Sequence, residues 1–218
     1  MPSFRFRILT MNLSTIIEAP KVDAILNHRQ INGFEHGGGT DKQTIHSYGP
    51  VYETLLAPFE NTKSTFLEVG VNVGGSMMLW HDLCPKSLVL GVDCINVVHP
   101  SIFERMENDR YVFMVGDGYA SSTVEMVEQF APNGLDFAVD DGPHTLESQC
   151  DFLRLYVPML KPGGVAVVED IQAESWFEPL IGCVKEGFSV ERVDRRAIKG
   201  RYDDLMLIVR HDQKGKAS

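Results

Sequence analysis

Two short acidic runs carry the strongest chemical signal in this chain of 218 residues. Asp140-Asp141-Gly142-Pro143-His144 follows the apolar run Leu135–Val139, and Glu169-Asp170-Ile171-Gln172 follows Val165–Val168. If the two runs are neighbouring strands, Asp141, Glu169 and Asp170 reach one edge together and crowd their charges. Such crowding is costly unless protons or a cation relieve it. Hard oxygen donors with open water positions suit Mg2+, or Mn2+, and not zinc. One acidic pair after a strand is commonly a cap or a solvated loop, whereas two pairs at adjacent strand ends fit a cation site. A lone histidine is usually structural, but His144 stands three residues past Asp141 at the same edge. Its ordinary pKa of about 6.5 lets it act as a general base at neutral pH. His28, His36, His81, His99 and His211 have no such setting.

A second group of residues suits a nucleoside ligand. The run Leu67-Glu68-Val69-Gly70-Val71-Asn72-Val73-Gly74-Gly75-Ser76 reads as a strand that turns through glycines into a helix. Glycine there allows a close backbone approach, and the helix start offers unpaired N–H groups. The spacing is not G-x-G-x-x-G, and Glu68 would repel a pyrophosphate while suiting a cationic amine and sulfonium. The next strand ends in Asp93, 23 residues beyond Gly70, where an acid can accept both hydroxyls of a ribose. The third ends in Gly116-Asp117-Gly118, a glycine-flanked acid at the same edge. Taken singly these are tight turns and helix caps. Together they favour an adenosine-containing ligand, and Glu68 favours S-adenosylmethionine over NAD.

The elements that must position these residues follow from hydrophobic pattern. Thr65–Val69, Leu88–Val92, Tyr111–Val115, Leu135–Val139 and Val165–Val168 are nearly continuous apolar runs, as in parallel strands buried on both faces. Helical patterns at about 75–83, 101–107, 119–130, 146–160 and 174–186 alternate with them. Phe188–Asp194 and Leu205–Arg210 add two extended runs joined by a polar turn near Gly200, with no helix between. The expected fold is α/β: a Rossmann-like, doubly wound, seven-stranded sheet, mostly parallel, with a C-terminal antiparallel hairpin. Residues 64–218 form that domain. Residues 1–63, with a short helix near 20–28, a Gly37-Gly38-Gly39 loop and a helix from about Tyr48 to Phe59, form a helical cover or lid over the ligand edge.

Seven strands ending in a hairpin is the layout of class I methyltransferases. Gly39-Thr40-Asp41-Lys42, His46, Tyr48, Tyr52-Glu53, the Leu67–Gly75 turn, Asp93, the Asp140–His144 loop and Glu169-Asp170-Ile171-Gln172 together resemble the metal-dependent sugar O-methyltransferases of macrolide tailoring. Those acting on mycinamicin and tylosin deoxysugars are the nearest in kind. The rhamnosyl O-methyltransferase and cephalosporin-hydroxylase-like families are more distant. The resemblance covers about residues 36 to 178. It implies S-adenosylmethionine and Mg2+ as cofactors, Asp141, Glu169 and Asp170 as metal ligands, and His144 as base. It implies that Glu68, Gly70, Asn72, Gly74, Gly75, Asp93, Asp117, Gly118 and Asp140 line the cofactor site. Lys42, His46 and Tyr48 would lie in the cover, near the methionine carboxylate or the acceptor. Pro143 stands where that family usually has serine, and there is no room for its large auxiliary domain.

Composition narrows the alternatives. Hydrophobic residues at 44% and charged residues at 23% are ordinary globular values, which excludes a disordered chain. A net charge of −10 does not suit a protein that grips many phosphates, so nucleic acid is not expected as a partner. A nucleic-acid methyltransferase is still the first rival, resting on Arg192, Arg195, Arg196, Lys199 and Arg201. Glu191, Asp194, Asp203 and Asp204 dilute that cluster. A NAD-dependent oxidoreductase lacks a Tyr-x-x-x-Lys pair, and a non-catalytic S-adenosylmethionine-binding protein would not need a metal triad and a base. Four scattered cysteines without a C-x-x-C pair, no apolar run of membrane length and no small-x-small cleavage site predict a cytoplasmic protein free of membrane. The expected partner is a small-molecule hydroxyl acceptor, shaped by residues 1–50, Ala173–Pro179 and the loop near Pro100, with Trp176 and Phe177 available to stack on a ring. The stretch Phe4–Ile17 could pair with a neighbouring subunit and make a homo-oligomer.

Overall fold

The computed structural model describes residues 40–98 and 110–212 in full and the backbone of Ile8–Thr10. The expected helices at 20–28 and 101–107, the triple-glycine loop and the loop near Pro100 lie outside the described residues. The strands are β1 (Ile8–Thr10), β2 (Thr65–Val69), β3 (Leu88–Asp93), β4 (Tyr111–Val115), β5 (Leu135–Asp140), β6 (Leu160–Val168), β7 (Phe188–Asp194) and β8 (Leu205–His211). The helices are α1 (Gly49–Leu56), α2 (Gly75–Leu83), α3 (Ser121–Phe130), α4 (Leu146–Tyr156), α5 (Phe177–Ile181) and α6 (Arg196–Lys199).

The sheet runs in the order β1-β7-β8-β6-β5-β2-β3-β4. β2 to β6 are mutually parallel, β8 is antiparallel to both β6 and β7, and β1 is parallel to β7. The seven expected strands and the C-terminal hairpin are therefore present, with β1 added at the edge. Three residues of the stretch expected to offer pairing to another subunit are thus paired within the chain. The chain leaves β2 toward β3 and β4 in one direction and reaches β5 and β6 in the other. Between β2 and β5 the order reverses, and ligands of open α/β sheets bind at the carboxyl ends beside such a point.

Strand alternation sorts the apolar side chains into two cores, one per face. Phe66, Phe137, Val139, Val165, Val167, Met206 and Ile208 join Val51, Tyr52, Leu55 and Leu56 of α1 and Trp80 of α2 on one face. Leu67, Val69, Leu90, Ala138, Ala166, Val168, Leu207 and Val209 meet Phe152, Leu153 and Tyr156 of α4 on the other. Successive strand residues point to opposite faces, so continuous apolar runs fill both.

Four elements differ from the pattern-based expectation, among them β6, which begins at Leu160 instead of Val165. The helix expected over 146–160 closes at Tyr156, with a 3-10 turn at Val157–Met159, because Pro158 cannot continue the backbone bonding. The segment expected over 174–186 is a 3-10 turn (Glu174–Trp176) followed by α5 alone. The turn between β7 and β8 holds a one-turn helix, α6, that stops at Gly200. Among the described residues no helix is long and apolar enough to cross a membrane.

Candidate active site

The ends of β2 and β5 abut. Asp141 N–H donates to Val69 O at 2.8 Å, and Gly70 N–H donates to Val92 O at 2.9 Å. Gly70 has φ +88°, and a Cβ there would lie 2.0 Å from the Asp141 carbonyl oxygen, so glycine is the residue that fits. The turn after β2 also organises the end of β3. Asp93 Oδ2 accepts from Val71 N (2.9 Å) and Asn72 N (2.7 Å), and its Oδ1 accepts from Ile95 N (3.1 Å).

These ends open into a cavity of about 780 Å3. Of the residues expected to meet ligand, Gly70, Asn72, Gly75, Asp93, Asp117, Gly118, Asp141, His144 and Asp170 line it. Ile95 (56% exposed) and Val97 (44%) give its rim beyond Asp93 an apolar face. Gly74 forms the left-handed N-cap of α2, while Lys42, Tyr48, Glu68, Asp140 and Glu169 do not line the cavity. They are buried behind its wall, where they bond to other protein groups.

Alternation explains that placement. Glu68 shares the face of Phe66, Asp141 continues the face of Val139, and Glu169 continues that of Val167, so three carboxylates from three strand ends reach the α1 face. Lys42, 1% exposed, meets them there. Its ammonium donates to Asp141 Oδ2 at 2.6 Å and to Glu169 Oε2, and lies 3.5 Å from Glu68 Oε1. Burial opposes the Lys42 charge, but Asp141, Glu169 and Glu68 together hold its pKa well above the ordinary lysine range. Burial pushes Glu68 up to about 7 against the pull of Lys42 and the bonds it accepts from Ser76 Oγ (2.8 Å) and Trp80 Nε1 (3.0 Å). Glu169 is likewise raised by burial, with Lys42 pulling the other way. Asp140 falls on the opposite face, where it accepts from the Tyr119 hydroxyl at 2.6 Å. Burial raises it to about 8.

The chemical edge is strained. Asn72 (φ 49°), His144 (φ 52°) and Asp170 (φ 53°) are the positive-φ residues other than glycine among the described residues, and all three line the cavity. Such conformations cost free energy and persist where the surroundings fix them. Around Asp170 the fixing groups are visible. Tyr48 Oη donates to Asp170 Oδ1 at 2.6 Å, His46 Nδ1 lies 3.3 Å from the same oxygen, and Gln172 Nε2 donates to the Asp170 carbonyl at 2.8 Å. Burial, then Asp141, raise Asp170 above the usual carboxylate range. His144 Nε2 stands 3.6 Å from Asp170 Oδ2 and 3.8 Å from Asp141 Oδ1. One ligand atom from each of Asp141, His144 and Asp170 lies within 4.8 Å of the others.

Several site residues escaped the sequence reading. Tyr119 anchors Asp140, and Trp80 and Ser76 anchor Glu68. Asp203 and Asp204, expected only to dilute the basic cluster, are buried: His46 Nδ1 is 2.7 Å from Asp204 Oδ1, and Tyr48 Oη also donates to the Asp203 carbonyl at 3.2 Å. The basic cluster beside them is committed within the chain. Arg192 pairs with Glu178, Arg196 with Asp194 and Glu174, and Arg201 with Asp203, while Arg195 and Lys199 bond carbonyls of the 43–47 segment. Phe177, a stacking candidate, is 3% exposed and belongs to the second core, with the Arg192 guanidinium 5.3 Å from its ring centroid. The hairpin's burial pattern was the available signal for Asp204, which directly precedes five buried apolar residues of β8.

The sheet order is that of the class I methyltransferase fold, and residues 67–171 match the methyltransferase domain family. The chain is similar to the 8-demethyl-8-alpha-L-rhamnosyl tetracenomycin-C 2'-O-methyltransferase of Streptomyces olivaceus, 32% identical over 146 residues, covering 63% of this chain and 36% of that protein. It is similar as well to the mycinamicin VI 2''-O-methyltransferase of Micromonospora griseorubida, 25% identical over 141 residues, covering 61% of this chain and 33% of the relative. The match thus spans about a third of the length of these curated relatives. Among solved structures, the methyltransferase MycE in complex with Mg and SAH shares the fold with a TM-score of 0.54 at 19% identity, over 80% of this chain and 52% of that one. An O-methyltransferase from Bacillus cereus in complex with SAH does so with 0.62 at 14% identity, over 90% and 93%.

Proposed function

We propose that this protein is an S-adenosylmethionine-dependent, Mg2+-dependent O-methyltransferase acting on a hydroxyl of a small sugar or glycoside with vicinal hydroxyls. The observation that carries the reading is the meeting of Asp141, His144 and Asp170 in the wall of the cavity that Gly70, Asp93 and Asp117 also line. The relatives' names point the same way: two of them methylate sugar hydroxyls of a tetracenomycin and a mycinamicin.

Asp93, fixed by three backbone N–H groups, is poised to accept ribose hydroxyls, and the apolar Ile95–Val97 rim suits an adenine. Bound S-adenosylmethionine supplies a sulfonium methyl already activated toward an oxygen nucleophile. The donor set fits a divalent ion: it is rich in hard oxygens, and burial with mutual repulsion penalises the ionised forms of Glu169 and Asp170, a penalty that a cation relieves. Asp141, Glu169 and Asp170 would hold the ion, which supplies Lewis acidity toward a hydroxyl. His144, about one-third exposed, takes the proton of the attacking hydroxyl as its oxygen accepts the methyl group. Asp141 and Asp170, 3.8 and 3.6 Å from Nε2, stabilise the imidazolium that results. Holding the hydroxyl in line with the methyl group supplies much of the remaining acceleration.

Calorimetric titration with S-adenosylmethionine in Mg2+ buffer, followed by turnover assays on vicinal-diol glycosides with and without chelator, tests the proposal. One-to-one binding and chelator-sensitive methyl transfer are expected. Absence of cofactor binding overturns the reading entirely, and full activity in chelator removes its metal component.

A further inference from the structure

Lys42 stands in a site built for an ammonium group. Its Nζ lies 5.9 Å from the Tyr52 ring centroid and 5.8 Å from that of Trp80, with Glu68 behind it at 3.5 Å. Ser76 and Trp80 fix Glu68 in turn, and the main chain is tied down where the Tyr48 N–H donates to the Lys42 carbonyl at 2.8 Å. Leaving this box would strand a buried carboxylate without its partner, a strongly unfavourable change. The ammonium therefore stays in place, bonded to Asp141 Oδ2 and Glu169 Oε2. Those same carboxylates are the proposed holders of the divalent ion, and Asp141 keeps its Oδ1 on the His144 side.

We infer that Lys42 is a resident cation of this carboxylate cluster: it shares Asp141 and Glu169 with the divalent ion and so holds that ion's affinity down. The inference rests on the metal reading above. Four carboxylates converge here, from Glu68, Asp141, Glu169 and Asp170. The ammonium neutralises one charge permanently, and a single divalent ion relieves two more. Like charges so close repel, so every part of Asp141 and Glu169 committed to Lys42 is withheld from the ion.

The test is Mn2+ titration by calorimetry at pH 8 on wild type, Lys42→Met and Lys42→Arg, with thermal melting of each in the presence and absence of Mn2+. Expected are one Mn2+ per wild-type chain, at least tenfold tighter binding in Lys42→Met with a larger Mn2+-induced rise in melting temperature, and Lys42→Arg within about threefold of wild type. Equal or weaker binding in Lys42→Met, with wild type still binding, overturns the inference and leaves the metal reading standing. No Mn2+ binding by wild type or variant removes the metal reading, and this inference with it. If Lys42→Met does not fold in metal-free buffer, Glu68→Gln decides. That change removes the carboxylate screening the ammonium and is expected to weaken Mn2+ at least threefold, whereas unchanged or tighter binding overturns the inference.

Discussion

At the ends of β2 and β3 main-chain groups organise the cavity wall. Gly70, Val71 and Asn72 shape it, and Asp93 is held by three backbone N–H donors. At the ends of β5 and β6 opposed side-chain charges organise the wall, and a buried lysine, a histidine and two tyrosine hydroxyls, most of them behind it, balance the acids there. The difference teaches what each half tolerates. A wall made of backbone is sensitive to added bulk and indifferent to charge. A wall made of opposed charges is sensitive to the loss of any partner and to pH.

Gly70→Ala should produce the largest effect. The new Cβ meets the Asp141 carbonyl at 2.0 Å, and φ +88° is itself unfavourable for alanine. A cost of roughly 3–5 kcal/mol is expected, lowering Tm by on the order of 10 °C in a chain of this size. Thermal melting checks it. A shift of only a degree or two would mean that the two strand ends separate freely and that the backbone wall is not rigid. His144→Ala addresses the other half. Removing the proposed base should lower turnover by about 10^2–10^4 while leaving S-adenosylmethionine affinity within about twofold, as read by steady-state kinetics beside calorimetry. A parallel loss of cofactor affinity would instead tie the two halves together.

The same contrast governs how much was legible in the sequence. Thr65–Val69, Tyr111–Val115 and Phe188–Asp194 were bounded correctly because apolar and β-branched residues, continuous or alternating, announce strands by composition. Gly70 and Asp93 were legible for a related reason: a glycine at a strand-to-helix turn and an acid at the next strand end are local patterns. The partners of the charged half were not local. Lys42 lies 99 residues from Asp141 and 127 from Glu169, and Asp204 lies 158 from His46. No spacing rule connects them. Glu68 shows the limit most plainly. Its charge was legible, but which face of β2 it occupies depends on strand parity, and parity sends it to Lys42, Ser76 and Trp80 instead of the cavity.

Glu68 also sharpens the comparison through pH. Burial pushes its carboxyl to about 7 in the folded protein, whereas an unfolded glutamate titrates at about 4.3. The folded state therefore binds the proton more tightly. The stability this group contributes is complete below the unfolded value and is lost as pH rises through about 7. Glu68→Gln removes that dependence. Between pH 5 and pH 8 the stability difference should move in the variant's favour by up to roughly 3 kcal/mol, read from paired melts or denaturant titrations. A pH-independent difference would mean that Lys42 keeps Glu68 ionised throughout, so that the charged half is better balanced than burial alone implies.

The smallest effect is expected at Thr145, where the two kinds of wall meet. Thr145 caps α4 in a reciprocal box: Ser148 N–H donates to Thr145 Oγ1 at 3.1 Å, and Thr145 N–H donates to Ser148 Oγ at 3.2 Å. The residue before it is His144, held at φ 52°. Thr145→Ala should cost about 1 kcal/mol, a shift of roughly 2–4 °C in Tm. It leaves every charged partner of His144 in place. If side chains alone hold the base, turnover should survive at close to the wild-type level once the protein is folded. If the cap holds the strained turn that aims the imidazole, turnover should fall severalfold at unchanged cofactor affinity, and main chain would then govern the chemical half as it governs the other.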